Sequence, residues 1–77
     1  MKTIQILGMG CAKCNKLYEQ TELAAKELGL EYRMEKVSDM EKIVEMGVMM
    51  TPAMAVDGVV KVSGRVPTVE SLKEMLK

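Results

Sequence analysis

Cys11-Ala12-Lys13-Cys14 stands where the hydrophobic period of the chain changes. Before it, Lys2-Thr3-Ile4-Gln5-Ile6-Leu7 alternates polar and apolar residues and carries β-branched side chains, the pattern of a strand. Gly8-Met9-Gly10 then breaks that pattern as a loop. From Cys14 onward, apolar or small residues recur at Leu17, Tyr18, Thr21, Ala24, Ala25 and Leu28, one face of an amphipathic helix that Gly29 can stop in a left-handed conformation. A pair of thiols is thus predicted at a strand-to-helix junction, and a strand feeding a helix at the start of a short chain points to an α/β fold.

The rest of the chain extends this order. Leu30 to Val37 reads as a second strand, whose four charged residues suit an edge or a half-solvated face. Ser38-Asp39-Met40-Glu41 has the S-x-x-E form of a capping box and predicts a short helix with Met40, Ile43, Val44 and Val48 turned inward and Gly47 at its end. Ala53–Val56 and Val59–Val62 are short apolar strands around Asp57-Gly58, the strongest short hairpin signal, because a type I′ turn needs positive φ at both positions. Ser63-Gly64 ends the second of these strands. Thr68 can cap a last helix whose inner face is Val69, Leu72, Met75 and Leu76. The predicted order is β-α-β-α-β-β-α. The helix crossover makes the first two strands parallel, the hairpin makes the last two antiparallel, and a mixed four-stranded sheet with helices on both faces results.

At 77 residues this is expected to be one domain, 1–77, with a small core. Eleven basic and eleven acidic residues cancel, and Tyr18 and Tyr32 are the aromatics, so the chain lacks the basic footprint and stacking platforms of nucleic-acid binders. No apolar run approaches the roughly 20 residues of a membrane span. The alternating start is not a signal peptide, which makes the cytoplasm the expected compartment. In that compartment two cysteines three apart are catalytic or metal-binding rather than a structural staple. The nine methionines are expected to fill core gaps in a chain without Phe or Trp.

The position of the cysteines assigns them roles. Cys11 falls at or just before the first helical turn, where free backbone N–H groups and the helix dipole favour a thiolate, and Lys13 adds a positive charge. Cys14 lies one turn later on the same side, placed to attack a mixed disulfide formed at Cys11. Cys11 is therefore the expected nucleophile and Cys14 the resolving thiol, with Gly10 and Lys13 as tuning neighbours. No buried acid beneath Cys14 can be named; Glu35 and Lys36 are the nearest candidates by neighbourhood. A second reading stands beside this one. Gly8-Met9-Gly10-Cys11-Ala12-Lys13-Cys14 matches G-M-x-C-x-x-C and resembles the Cu(I) and Zn(II) site of heavy-metal-associated domains, and two thiolates suit a soft cation.

The second half of the chain weighs between them. Thr51-Pro52 opens the third strand, and on the residues alone this is an ordinary trans proline at a strand start. Taken with the C-x-x-C after the first strand, the Asp57-Gly58 hairpin and Ser63-Gly64-Arg65-Val66-Pro67 before the last helix, it resembles the thioredoxin superfamily. More narrowly, it looks like the short thioredoxin-like and glutaredoxin-like redox-active disulfide proteins of bacteria and archaea, a resemblance that covers nearly the whole length. Heavy-metal-associated domains run β-α-β-β-α-β and end in a strand, whereas this chain is predicted to end in a helix. The resemblance implies a protein-disulfide oxidoreductase of thioredoxin-like α/β fold without a cofactor or metal. It implies a cis Pro52 facing the cysteines, with the Thr51 backbone pairing an extended substrate segment and Gly64 in the same groove. The implied partners are protein disulfides and a reductase, with no nucleic acid and no membrane, and the chain is expected to work as a monomer. It departs from thioredoxin's W-C-G-P-C in having no tryptophan beside the nucleophile, and it has no histidine to carry protons.

Overall fold

The computed structural model describes residues 1–8 and 12–77, and the readings made for Met9, Gly10 and Cys11 lie outside the described residues. Among the described residues the elements follow in the predicted order: β1 (Lys2–Leu7), α1 (Ala12–Glu27), β2 (Tyr32–Val37), α2 (Met40–Glu45), β3 (Ala53–Val56), β4 (Val59–Ser63) and α3 (Val69–Leu76). The strands form one sheet in the order β2-β1-β3-β4. β1 runs parallel to β2, from Lys2↔Tyr32 to Leu7↔Val37, and antiparallel to β3, from Ile4↔Val56 to Leu7↔Ala53. α2 stands between β2 and β3 and α3 follows β4, so the order is not that of the heavy-metal-associated fold.

The period of two in each strand divides the core between the sheet faces. Ile4, Ile6, Met54, Val56 and Val62 pack under α1 and α3 with Leu17, Ala24, Ala25, Leu72 and Leu76. Leu7, Ala53 and Ala55 face the other way and pack with Ile43 and Val48. β3 is central and buried on both sides, which is why Ala-Met-Ala-Val reads as a continuous apolar run. β4 serves both faces through a bulge. Met54 pairs with Val62 but Ala55 pairs with Val60, so Lys61 is an extra residue. That insertion sends Val60 to the α2 side and Val62 to the α1 side, although residues two apart normally share a face.

Local closures explain the element ends. Gly29 has φ +67°, and the bonds Gly29 N–H to Lys26 O (3.0 Å) and Leu30 N–H to Ala25 O (3.1 Å) form a Schellman closure of α1. Leu30 is thereby tied to the helix end and packs against the core, so β2 begins at Tyr32 rather than at Leu30 as expected. α2 closes in the same way, with Gly47 N–H to Val44 O and Val48 N–H to Ile43 O, and Val48 is buried as the residue after the closure. The expected cap Ser38 is displaced by one residue: Asp39 caps α2, its carboxylate accepting from the Glu41 N–H at 3.0 Å. With fewer than two turns, α2 turns Ile43 inward, whereas Met40 and Val44, expected inside, are more than half exposed. The hairpin follows expectation, with φ +50° at Asp57 and +85° at Gly58. Asp57 further ties the turn to β1, accepting from the Thr3 N–H at 3.0 Å and donating its own N–H to Thr3 O at 2.8 Å.

The α1–α3 layer is fastened by polar contacts at its rim. Gln20 donates to Pro67 O at 2.5 Å, and Lys73 reaches Glu27 at 3.2 Å. Thr68 caps α3 as expected, its hydroxyl accepting from the Ser71 N–H at 3.2 Å. Among the described residues no helix is long and apolar enough to cross a membrane.

Candidate active site

Cys14 is the third residue of α1 and is buried, 5 % exposed, against the end of β1. Its neighbour there is Gly8, which follows Leu7 and continues the β1–β2 ladder by donating to Val37 O at 2.9 Å. Gly8 has the parity of Ile4 and Ile6, so a side chain at position 8 would point into the α1 layer. A Cβ built on Gly8 collides with Cys14 Sγ and lies 3.3 Å from Cys14 Cβ and 3.8 Å from Thr51 Cβ. The absence of a side chain at position 8 is what lets the thiol seat directly on the strand. Gly8, Cys14 and Thr51 thus meet at one point, brought from β1, α1 and the segment before β3.

The Thr51-Pro52 peptide bond is cis. This replaces the trans proline that the residues alone suggested and agrees with the form the resemblance implied. Pro52 is fully buried and Thr51 is exposed beside it. Gly64, at φ +77°, donates its N–H to Pro52 O at 2.8 Å, which carries the β3–β4 pairing one step past Ala53↔Ser63. The three positions expected to bind substrate, Thr51, Pro52 and Gly64, are therefore joined, and Thr51 borders the Gly8 position on which Cys14 packs.

Lys13 is exposed on the first turn of α1, which carries no acidic side chain among the described residues. The positive end of a 16-residue helix and one lysine thus act without an opposing carboxylate from that turn. Glu35 and Lys36 each have another partner. Glu35 accepts from Gln5 at 3.3 Å and meets Arg33 at 3.5 Å, and the Lys36 ammonium sits 4.9 Å from the centre of the Tyr18 ring. Among the described residues the one fully buried polar side chain is Thr21, so no carboxylate is sealed in the core near the thiol. The residue that sequence reasoning missed is Gly8, read as a loop breaker. Its signal was its parity with Ile4 and Ile6 directly before the cysteine motif.

Comparison with known proteins agrees with this geometry. A family model described as a thioredoxin domain matches residues 2–77. A protein named thioredoxin from Methanothermobacter thermautotrophicus is 43 % identical over 76 residues, covering 99 % of each chain. Another of that name from Methanocaldococcus jannaschii is 44 % identical over 77 residues, covering 100 % of this chain and 88 % of its own. A probable thioredoxin from M. thermautotrophicus is 38 % identical over 69 residues, covering 86 % of this chain and 80 % of its own. The chain belongs to the thioredoxin domain family and is a thiol–disulfide oxidoreductase.

Proposed function

We propose that the chain reduces protein disulfides through Cys11 and Cys14, with Cys11 as nucleophile and Cys14 as resolving thiol. The observation that carries this reading is the convergence of Gly8, Cys14 and Thr51 at one point beside the cis proline. The Cys11 thiolate attacks one sulfur of a substrate disulfide, forms a mixed disulfide and expels the other sulfur as a thiolate. The Cys14 sulfur then attacks the Cys11 sulfur, releases the second substrate thiolate and leaves Cys11 joined to Cys14. Two electrons pass to the substrate, and the Cys14 proton goes to the departing thiolate or to water, since the chain has no histidine. A separate reductase restores the dithiol.

Three features support the division of labour. Cys14 is buried, so an external disulfide meets Cys11 first. Cys11 precedes Ala12, the first residue of α1, and a helix N-terminus together with Lys13 favours a thiolate there. Thr51 is exposed two residues before β3, and its backbone is offered to an extended substrate segment as an added strand, bordered by Gly64. The chain works as a monomer on protein substrates in a reducing compartment, the cytoplasm being the one in which such a dithiol is kept cycling.

Insulin reduction by dithiothreitol, followed as turbidity, tests the reading. The protein accelerates the reaction, Cys11→Ser abolishes the acceleration, and Cys14→Ser accumulates a mixed disulfide at Cys11 that mass spectrometry detects. Turnover that survives Cys11→Ser, or a Cys14→Ser protein that never holds an adduct, would refute it.

A further inference from the structure

Met34, Met46 and Met75 pack against the core as expected of gap-filling methionines, but others do not. Met54 is fully buried, but Met1, Met40, Met49 and Met50 are exposed. Two of these four directly precede the cis bond. Met49 is 94 % exposed and Met50 65 % exposed. Met50 nevertheless lies across Gly64: a Cβ built there is 3.2 Å from Met50 Cβ and 3.5 Å from both its Sδ and Cε. Gly64 is the residue bonded to Pro52 O, so the Met50 thioether rests on the joint between the two segments assigned to the substrate groove. Met49 sits on the rim of a groove of about 280 Å³ between α2 and Thr51, lined by Met40, Ile43, Val44 and Val48 with no charged side chain.

We propose that Met49 and Met50 are a site of oxidative modification by hydroperoxides, and that their conversion to sulfoxides lowers the affinity of the groove for protein substrates. This rests on the reading of Thr51 and Gly64 as the substrate-binding edge. The chemistry is an oxygen transfer. The thioether sulfur attacks the peroxide, the O–O bond breaks, one oxygen becomes the sulfoxide oxygen and the other leaves as water, or as an alcohol from an alkyl hydroperoxide. Sulfur loses two electrons and the peroxide gains them. The product is polar and carries a strong acceptor where the side chain was apolar and soft. A substrate strand laid along Thr51 must then strip water from a sulfoxide oxygen for which the groove offers no charged donor and, among its lining side chains, only the Thr51 hydroxyl. Exposure selects these two sulfurs over Met54, and position gives their oxidation a consequence that oxidation of Met1 lacks.

The protein is first oxidised to its disulfide form, which removes the thiols from competition. It is then treated with graded hydrogen peroxide, reduced with dithiothreitol and assayed on insulin, with peptide mapping by mass spectrometry at each dose. Oxygen is expected at Met49 and Met50 at doses that leave Met54 unmodified. kcat/KM should fall about five- to tenfold through KM, the low end of the effect of an unpaired polar oxygen because both side chains stay partly in solvent. A Met49→Leu/Met50→Leu protein should keep its own untreated rate after the same treatment, while Met9→Leu and Met40→Leu proteins remain sensitive. Oxygen arriving at the buried Met54 before Met49 and Met50 overturns the proposal, as does a double leucine variant that loses as much as the parent. An untreated protein without insulin reduction would sink the reading of the site and the proposal with it. An active protein indifferent to oxidation at these two residues overturns the proposal alone.

Discussion

Gly8→Ala is the substitution on which the account of the site can be tested most sharply. The new methyl carbon would overlap Cys14 Sγ and stand 3.3 Å from Cys14 Cβ. Sγ can move only by rotation about the Cα–Cβ bond, and that rotation leaves the tight contact with Cys14 Cβ in place. Gly8 cannot withdraw easily, because its N–H is bonded to Val37 O at 2.9 Å as part of the β1–β2 ladder. Overpacking of this kind costs about 1–3 kcal/mol. For a domain of this size about 2 kcal/mol lowers Tm by about 8–16 °C. Thermal unfolding of the reduced protein, followed by far-UV circular dichroism, reads that shift.

A second background tells whether the thiol is the cause. In a Cys14→Ala protein the overlapping sulfur is gone and only the Cβ contact remains. Adding Gly8→Ala there should cost less than about 1 kcal/mol, a coupling of about 1–2 kcal/mol between positions 8 and 14. In the Cys14-containing protein the same change should also slow insulin reduction, since the sulfur is pushed off its seat beside Thr51. Equal destabilisation in both backgrounds would refute the argument, because the cost would then belong to the Gly8 backbone and not to the seat it makes for Cys14.

Other expectations follow from single contacts. Thr21 is fully buried on α1 and its hydroxyl has no hydrogen-bond partner, so Thr21→Val should raise stability by about 1 kcal/mol, and a loss of that size in urea unfolding would show that the hydroxyl is used. Asp57→Ala removes both the acceptor for the Thr3 N–H and a residue tolerant of φ +50°; it should cost about 1–2 kcal/mol, with Asp57→Asn costing much less, and equal costs would count against the turn account. Thr68→Ala should lose about 1 kcal/mol through the α3 cap, a loss that Thr68→Ser largely restores in the same unfolding assay. Lys73→Gln should change stability by less than about 1 kcal/mol, and less still in high salt, because its partner Glu27 is half exposed.

What the sequence disclosed and what it hid divide along physical lines. β1, α1, the hairpin and α3 each combine a strong period with a specific stop or turn residue, and Asp57-Gly58 takes the two positive φ values that its turn type demands. α2 was legible in existence but not in detail. Ser38 and Asp39 are both good caps, and nothing local decides between them. Once Asp39 takes the position, a helix of six residues has one inward residue, Ile43, and Met40 and Val44 are left outside. Leu30 was hidden for another reason. Its apolar character suits a strand, but the closure at Gly29 claims its N–H for Ala25 O before β2 begins.

The site shows the same division at closer range. Cys14, Thr51 and Gly64 could be named from motif and resemblance, because each is a residue type that the chemistry or the backbone requires. Their meeting place could not, since it depends on a residue with no side chain to advertise it. Gly8 matters through the space it leaves, and that space has meaning only once β1, α1 and the Thr51-Pro52 segment are packed together. The bulge at Lys61 is equally silent, although without it Val60 and Val62 would share one face and a core layer would lose a member. Both cases concern register between distant segments. Local patterning specifies which faces are apolar; it is the fit across segments 30 to 54 residues apart, as at Gln5–Glu35 and Thr3–Asp57, that decides where a thiol can rest.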